Sequence, residues 1–193
     1  MSPRSMSPTR RLELTATPGQ TIGPFYGYAL PYDGDNQLVA AGSPGAIRLH
    51  GTVRDGHGHA VPDALLEIWQ ADAHGRVVQQ PGSLRRDGYT FTGFGRTATD
   101  NTGAYSFTTL EPGTEGTTAP FVAMTVFARG LLNRLFTRVY VPGHPAMSTD
   151  RLLSGLPEDR RGTLVAARDD RGLRFDVVLQ GAGETVFLTY PGH

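Results

Sequence analysis

From Ala46 onward the chain breaks into short runs of strand-forming residues, each closed by glycine, proline or aspartate. Ile47, Leu49, Gly51 and Val53 alternate with Arg48, His50, Thr52 and Arg54, the period-two pattern of a half-buried strand. Asp55-Gly-His-Gly58 supplies turn chemistry, and Ala64-Leu-Leu-Glu-Ile-Trp69 resumes a strand before the turn Asp72-Ala-His-Gly75. Further runs lie at Gly95 to Thr99, Gly103 to Phe107, Pro120 to Ala128, Leu135 to Val141, Leu173 to Leu179 and Thr185 to Thr189. Many short strands at this spacing, with turn residues between them, predict a mainly β chain built as an antiparallel β-sandwich or barrel. One helix is expected, around Thr149 to Leu153 or Glu158 to Ala167, where Asp150 or Pro157 can begin a turn.

The 193 residues suit one domain with a single core. Residues 1–11 read as a disordered N-terminus, residues 12–45 as an extended arm rich in Gly, Pro and Tyr, and residues 46–193 as the sandwich. Eighteen basic and 18 acidic residues balance, so nothing suggests a nucleic-acid footprint or a charged membrane patch. All 18 basic residues are arginine, which rules out Schiff-base and phosphate-loop lysines. The absence of cysteine excludes disulfides, thiolate metal sites and cysteine nucleophiles. No secretory apolar segment and no run of about 18 apolar residues is visible, so a soluble, cytoplasmic protein is expected.

Within this pattern Ala119-Pro-Phe-Val-Ala-Met-Thr-Val-Phe-Ala-Arg129-Gly130 stands apart, because an almost wholly apolar run ends on a guanidinium. A buried charge without a partner is costly, so Arg129 is expected to meet an anion. Either a ligand supplies it or the chain does, through a carboxylate such as Glu67 or Asp176. Gln20-Thr-Ile-Gly-Pro-Phe25 is a second candidate, since glycine lets a backbone approach a ligand and proline holds that approach rigid. Tyr26, Tyr28 and Tyr32 continue this arm as packing or interface residues. Glu67 and Trp69 share a strand face, and Trp69 is expected in the core. His57 and His59 form a His-x-His pair, but they fall in a glycine-rich turn with no third ligand foreseen and read as a solvated turn. No nucleophilic triad and no phosphate-cradling loop is present.

Four segments, taken in order, are specific as a set: Thr17-Pro-Gly-Gln-Thr-Ile-Gly-Pro-Phe25; Gly51-Thr-Val-Arg-Asp-Gly-His-Gly58 leading into Pro62-Asp-Ala-Leu-Leu-Glu-Ile-Trp-Gln-Ala-Asp72; Phe94-Gly-Arg-Thr-Ala-Thr99; and Thr125-Val-Phe-Ala-Arg-Gly130. Together with Arg174 to Gly181 and Gly183 to Phe187, they resemble the intradiol ring-cleavage dioxygenases over nearly the whole chain. The resemblance is strongest to the alpha subunits of two-chain members acting on protocatechuate, a catechol that carries a ring carboxylate. It implies a two-sheet β-sandwich paired with a homologous beta subunit. The beta subunit would hold a non-haem Fe(III) through two tyrosines and two histidines and would use O2. Anionic phenolate oxygen and imidazole suit so hard an ion.

The departures from the family pattern carry as much weight. Where iron-bearing chains have a His-x-His pair, Pro120-Phe-Val-Ala-Met124 offers Phe121, Val122, Ala123 and Met124; where a ligand tyrosine follows a Pro-Gly turn, Pro112-Gly113 is followed by Thr114, Glu115 and Gly116. The resemblance therefore implies a subunit with no metal ligand and no catalytic residue of its own. It would lend Arg129, Thr21, Gly23, Pro24 and Phe25 to the partner's substrate pocket. The alternative is a non-catalytic binding or scaffold module, because the fold alone does not imply chemistry.

Overall fold

The computed structural model describes residues 20, 21, 23, 25–80, 86, 87 and 89–190. Pro24 lies outside the described residues. In chain order the elements are α1 (Tyr26–Ala29), β1 (Ala46–Arg54), β2 (Leu65–Gln70), β3 (Phe94–Ala98), β4 (Ala104–Leu110), β5 (Phe121–Phe127) and β6 (Leu135–Tyr140), then α2 (Arg151–Ser154), α3 (Glu158–Arg161), β7 (Ala167–Asp169), β8 (Gly172–Arg174) and β9 (Val177–Val178). Two short 3-10 turns, Pro145–Ser148 and Gly162–Leu164, flank the helices.

The strands form the expected two-sheet sandwich, but not an antiparallel one throughout, because β1 pairs in parallel with β8 and β9. One sheet runs β4-β1-β8-β7 with β9 beside β1, and the other runs β3-β2-β5-β6 with antiparallel neighbours throughout. Strict alternation of burial along β4 and β5 reflects one face turned to the core. Leu49 and Val53 of β1, Leu66 and Ile68 of β2, Phe107 of β4 and Val122, Met124 and Val126 of β5 meet between the sheets. Burying each such side chain stabilises the fold by about 1.5–3 kcal/mol. Gln70 crosses this core, donating to the Leu110 carbonyl at 2.8 Å and accepting from the Thr109 hydroxyl at 2.8 Å, so its buried amide is satisfied.

Gly51 marks the closest approach of chains within the first sheet. A Cβ built there would lie 1.8 Å from the Phe175 carbonyl oxygen, so β1 accepts only glycine at that point. A second, smaller cluster of Ala119, Tyr140, Leu153 and Leu164 packs at the β6 edge. Asp150 organises it: its side chain caps α2 by accepting from Leu152 and Leu153 N–H and also accepts from the Tyr140 hydroxyl at 3.0 Å and the Ala119 N–H at 3.2 Å.

Four sequence expectations are corrected. Among the described residues α-helix appears in three single turns instead of one segment, and one of them, α1, interrupts the arm that was read as extended. Leu173 to Leu179 splits into β8 and β9, and Thr185 to Thr189 contributes only an isolated bridge between Leu188 and Phe136. Among the described residues no helix is long and apolar enough to cross a membrane.

Candidate functional site at the end of the second sheet

Arg129 sits two residues beyond β5, and its position follows from strand register. Leu65 of β2 lies opposite Phe127 of β5. Extending that antiparallel register by two residues brings Asp63 opposite Arg129. The guanidinium and carboxylate meet there in a paired contact, Nη2 to Oδ2 at 2.9 Å and Nε to Oδ1 at 3.3 Å. The expected anionic partner therefore exists, but it is neither Glu67 nor Asp176. Glu67 is taken by Arg96, opposite it on β3, and Asp176 by Thr52 and Arg174. The expected burial is also corrected: Ala128 is the last buried residue of the run, and the Arg129 and Asp63 side chains are 55% and 45% exposed. Asp63 uses only one edge of the guanidinium, so the Nη1 side has no partner among the described residues.

The arm is fastened to this same spot. The Gly130 N–H donates to the Thr21 hydroxyl at 2.7 Å, and the Tyr26 hydroxyl donates to the Asp63 carbonyl. Asp63 has φ of 56°, a left-handed conformation that non-glycine residues adopt rarely. Its two polar ends are thus held by different partners, the carbonyl by the arm and the carboxylate by Arg129. Burial pushes the Tyr26 phenol up, the Asp63 carboxylate adds to that, and Arg129 opposes it.

Of the sequence-predicted residues, Thr21 and Arg129 are brought together through the Arg129 to Gly130 turn. Gly23 has no atom within 4 Å of where a Cβ would stand, and Phe25 is 80% exposed. These two offer an open surface and not an enclosed pocket. A shallow cleft of about 250 Å³ is lined by Gln20, Phe127, Ala128, Leu131 and Leu132 and does not include Gly23 or Phe25. Asp63 was missed from sequence because its role depends on the pairing of β2 with β5, which no local pattern states.

A second cleft, of about 400 Å³, opens on the outer face of β2 and β5 and includes Trp69, Val77, Thr114, Glu115, Phe121 and Ala123. Trp69 is 52% exposed there, which corrects its expected place in the core. Leu66, Ile68 and Gln70 occupy the inward face of β2, and Glu67 and Trp69 take the outward one. Phe121 and Ala123 line this cleft while Val122 and Met124 point into the core, each 1% exposed. The Arg138 guanidinium lies 4.0 Å from the Phe121 ring centroid. The Thr114 hydroxyl donates to the Thr118 carbonyl. Phenyl, methyl and hydroxyl groups stand where the family resemblance implies imidazole and phenolate, and with Glu115 as the one carboxylate of this lining the donor set does not fit a ferric ion.

The His57 and His59 turn differs from its sequence reading in one respect. Asp55 supplies a third possible ligand, so that one donor atom from each residue lies within 4.8 Å of the others. His50 is buried and meets Asp169 at 3.2 Å. Asp169 also accepts from the Arg171 and Gly172 N–H groups, which makes this a support for the β7 to β8 turn.

Comparison with known proteins adds to this geometry. A dioxygenase family model matches residues 21–181. The protocatechuate 3,4-dioxygenase alpha chain of Burkholderia cepacia is 37% identical over 194 residues, covering 91% of this chain and 98% of that one. The protocatechuate 3,4-dioxygenase beta chain of the same organism is 32% identical over 177 residues, covering 81% and 74%. Among solved structures, the dioxygenase domain of a dioxygenase carbohydrate-binding protein fusion from Streptomyces sp. SirexAA-E superposes with a TM-score of 0.58 at 26% identity, covering 86% of this chain and 99% of that one. A two-sheet β-sandwich matched over most of its length by the family model and by relatives above 30% identity, this chain belongs to the intradiol ring-cleavage dioxygenase family.

Proposed function

We propose that this chain is the non-metal alpha subunit of a cytoplasmic protocatechuate 3,4-dioxygenase. In such an enzyme O2 cleaves protocatechuate between its two hydroxyl-bearing carbons to give 3-carboxy-cis,cis-muconate, a step of aromatic catabolism in the beta-ketoadipate pathway. The non-haem Fe(III) would belong to a beta subunit. The existence of beta chains related to this one at 32% identity supports a homologous companion. The unsuitable donors at Phe121, Ala123 and Thr114 support placing the iron outside this chain.

The observation that carries the reading is the joining of Thr21 to the Arg129 to Gly130 turn at one open end of the sandwich. There the free edge of the Arg129 guanidinium can take the ring carboxylate through charge-assisted hydrogen bonds. Thr21, Gly23, Pro24 and Phe25 would border the ring without reacting with it. Pairing with a partner would also cover Phe25, a large apolar side chain otherwise left to solvent.

The pairing of Arg129 with Asp63 favours a second reading for that residue, a structural ion pair in a non-catalytic module. Co-expression separates the two. The chain purified alone is expected to carry no stoichiometric iron and to leave protocatechuate intact, and the complex with a beta chain is expected to show both iron and ring cleavage. Iron-dependent cleavage by the lone chain would refute the proposal.

A further inference from the structure

The turn between β1 and β2 holds three metal-ligating side chains away from the site just described. We propose that Asp55, His57 and His59 form a surface site for a borderline first-row divalent cation, bound by two imidazoles and one carboxylate oxygen. Its remaining positions would be open to water or to a donor from another chain. This does not depend on the assignment as an alpha subunit.

The turn is preorganised by its main chain. Asp55 N–H donates to the His59 carbonyl at 2.9 Å, and Gly58 N–H donates to the Asp55 carbonyl at 3.1 Å. The Asp55 Oδ1 accepts from both the His57 and His59 N–H groups, each at 2.8 Å. That leaves Oδ2, which stands 3.4 Å from Nδ1 of His59. Two ligand atoms at ordinary Zn–N and Zn–O distances around a tetrahedral ion are ~3.3 Å apart. This pair is therefore already at the spacing of two corners of a coordination shell.

His57 completes the set. Its ring stacks against that of His59 with centroids 6.0 Å apart and planes at 23°, and its donor atom lies within 4.8 Å of the other two, so it needs to close by at most about 1.5 Å to reach coordination spacing. Both imidazoles are exposed, so that movement is a side-chain rotation that displaces nothing in the core. Gly58, with φ of 81° and nothing within 4 Å of a would-be Cβ, lets the chain reverse between the two histidines and leaves the space beside them open. Arg54, whose guanidinium donates to the Gly58 carbonyl at 2.9 Å, is the neighbouring cation that opposes binding.

Donor chemistry selects the ion. Imidazole and carboxylate suit Zn2+, Ni2+ and Cu2+, with Cu2+ held most tightly, and the chain has no cysteine to divert a soft metal elsewhere. The position is at the same end of the sandwich as Asp63 and Arg129, because β1 ends and β2 begins there.

Calorimetric titration of Zn2+ into the untagged full-length chain tests the site against the H57Q/H59Q variant. The expected result is one Zn2+ bound per copy of this chain, with affinity at least about tenfold weaker in the variant, a ligand loss costing no less than a second-shell change. Equal stoichiometry and affinity in the two proteins would overturn the proposal. Should the double variant fail to fold, the same titration of H57Q, which leaves the Asp55 and His59 contact intact, gives the decision: weaker Zn2+ binding than wild type supports the site, and unchanged binding refutes it.

Discussion

Arg129→Ala and Asp63→Ala, made singly and together, separate substrate recognition from structural pairing. Both side chains are about half exposed, so the ion pair itself is expected to contribute no more than about 1 kcal/mol to stability. Arg129→Ala should therefore melt close to wild type, whereas Asp63→Ala carries a further cost of roughly 1–2 kcal/mol for alanine at φ 56°. If the free edge of Arg129 receives the substrate carboxylate in a pocket closed by the partner subunit, its removal leaves that carboxylate without its charge partner, at a cost of roughly 2–5 kcal/mol. That corresponds to a loss of about 30-fold to a few thousand-fold in kcat/KM. Asp63→Ala leaves the guanidinium in place and should retain most activity. Oxygen uptake by the assembled enzyme with protocatechuate and with unsubstituted catechol is the assay, since catechol has no carboxylate and should not register the Arg129 change. Unchanged kinetics with protocatechuate, or an equal loss with both substrates, would refute the reasoning.

Other outcomes follow from the packing. Asp150→Ala removes the cap of α2 and leaves the buried Tyr140 hydroxyl and Ala119 N–H unpaired; urea unfolding should show a loss of about 2–4 kcal/mol. Gly51→Ala places a methyl group on the Phe175 carbonyl and should cost about 3 kcal/mol, lowering the melting temperature by roughly 6–12 °C. Asp87 accepts from the Thr90 hydroxyl and from the Thr90 and Tyr89 N–H groups, which lowers its carboxyl from 3.8 to about 2. Because the folded value is depressed, its contribution is present above the ordinary carboxylate range and disappears as pH falls through about 2; a side-chain 13C titration midpoint near 3.8 would refute this.

Period-two patterning made β1 legible, because the alternation is written into adjacent residues, and β4 and β5 were legible as short strand-forming runs bounded by turn residues. Asp150 was legible as a helix start for a similar reason: its capping bonds are local. What sequence hid is set across strands. Arg129 and Asp63 meet through the register of β2 on β5, and sequence separation of 66 residues gives no hint of it. Trp69 was misplaced because its size argues for burial, whereas its parity with Glu67 put it on the outward face. The single turns α1, α2 and α3 are too short to show a helical period, so tertiary contacts and caps decide them. At the histidine pair the missing third ligand was Asp55, which looks like ordinary turn chemistry until its second oxygen is located.

Asp63 gives assembly a way to be felt at the guanidinium. Its carbonyl answers to Tyr26 of the arm and its carboxylate to Arg129, so one left-handed peptide couples the seating of the N-terminal segment to the aim of a charge. A companion subunit that repositions Tyr26 would retune Arg129 without touching it. Lesions in the arm could then surface as altered handling of the carboxylated ring, even with every group around the metal intact.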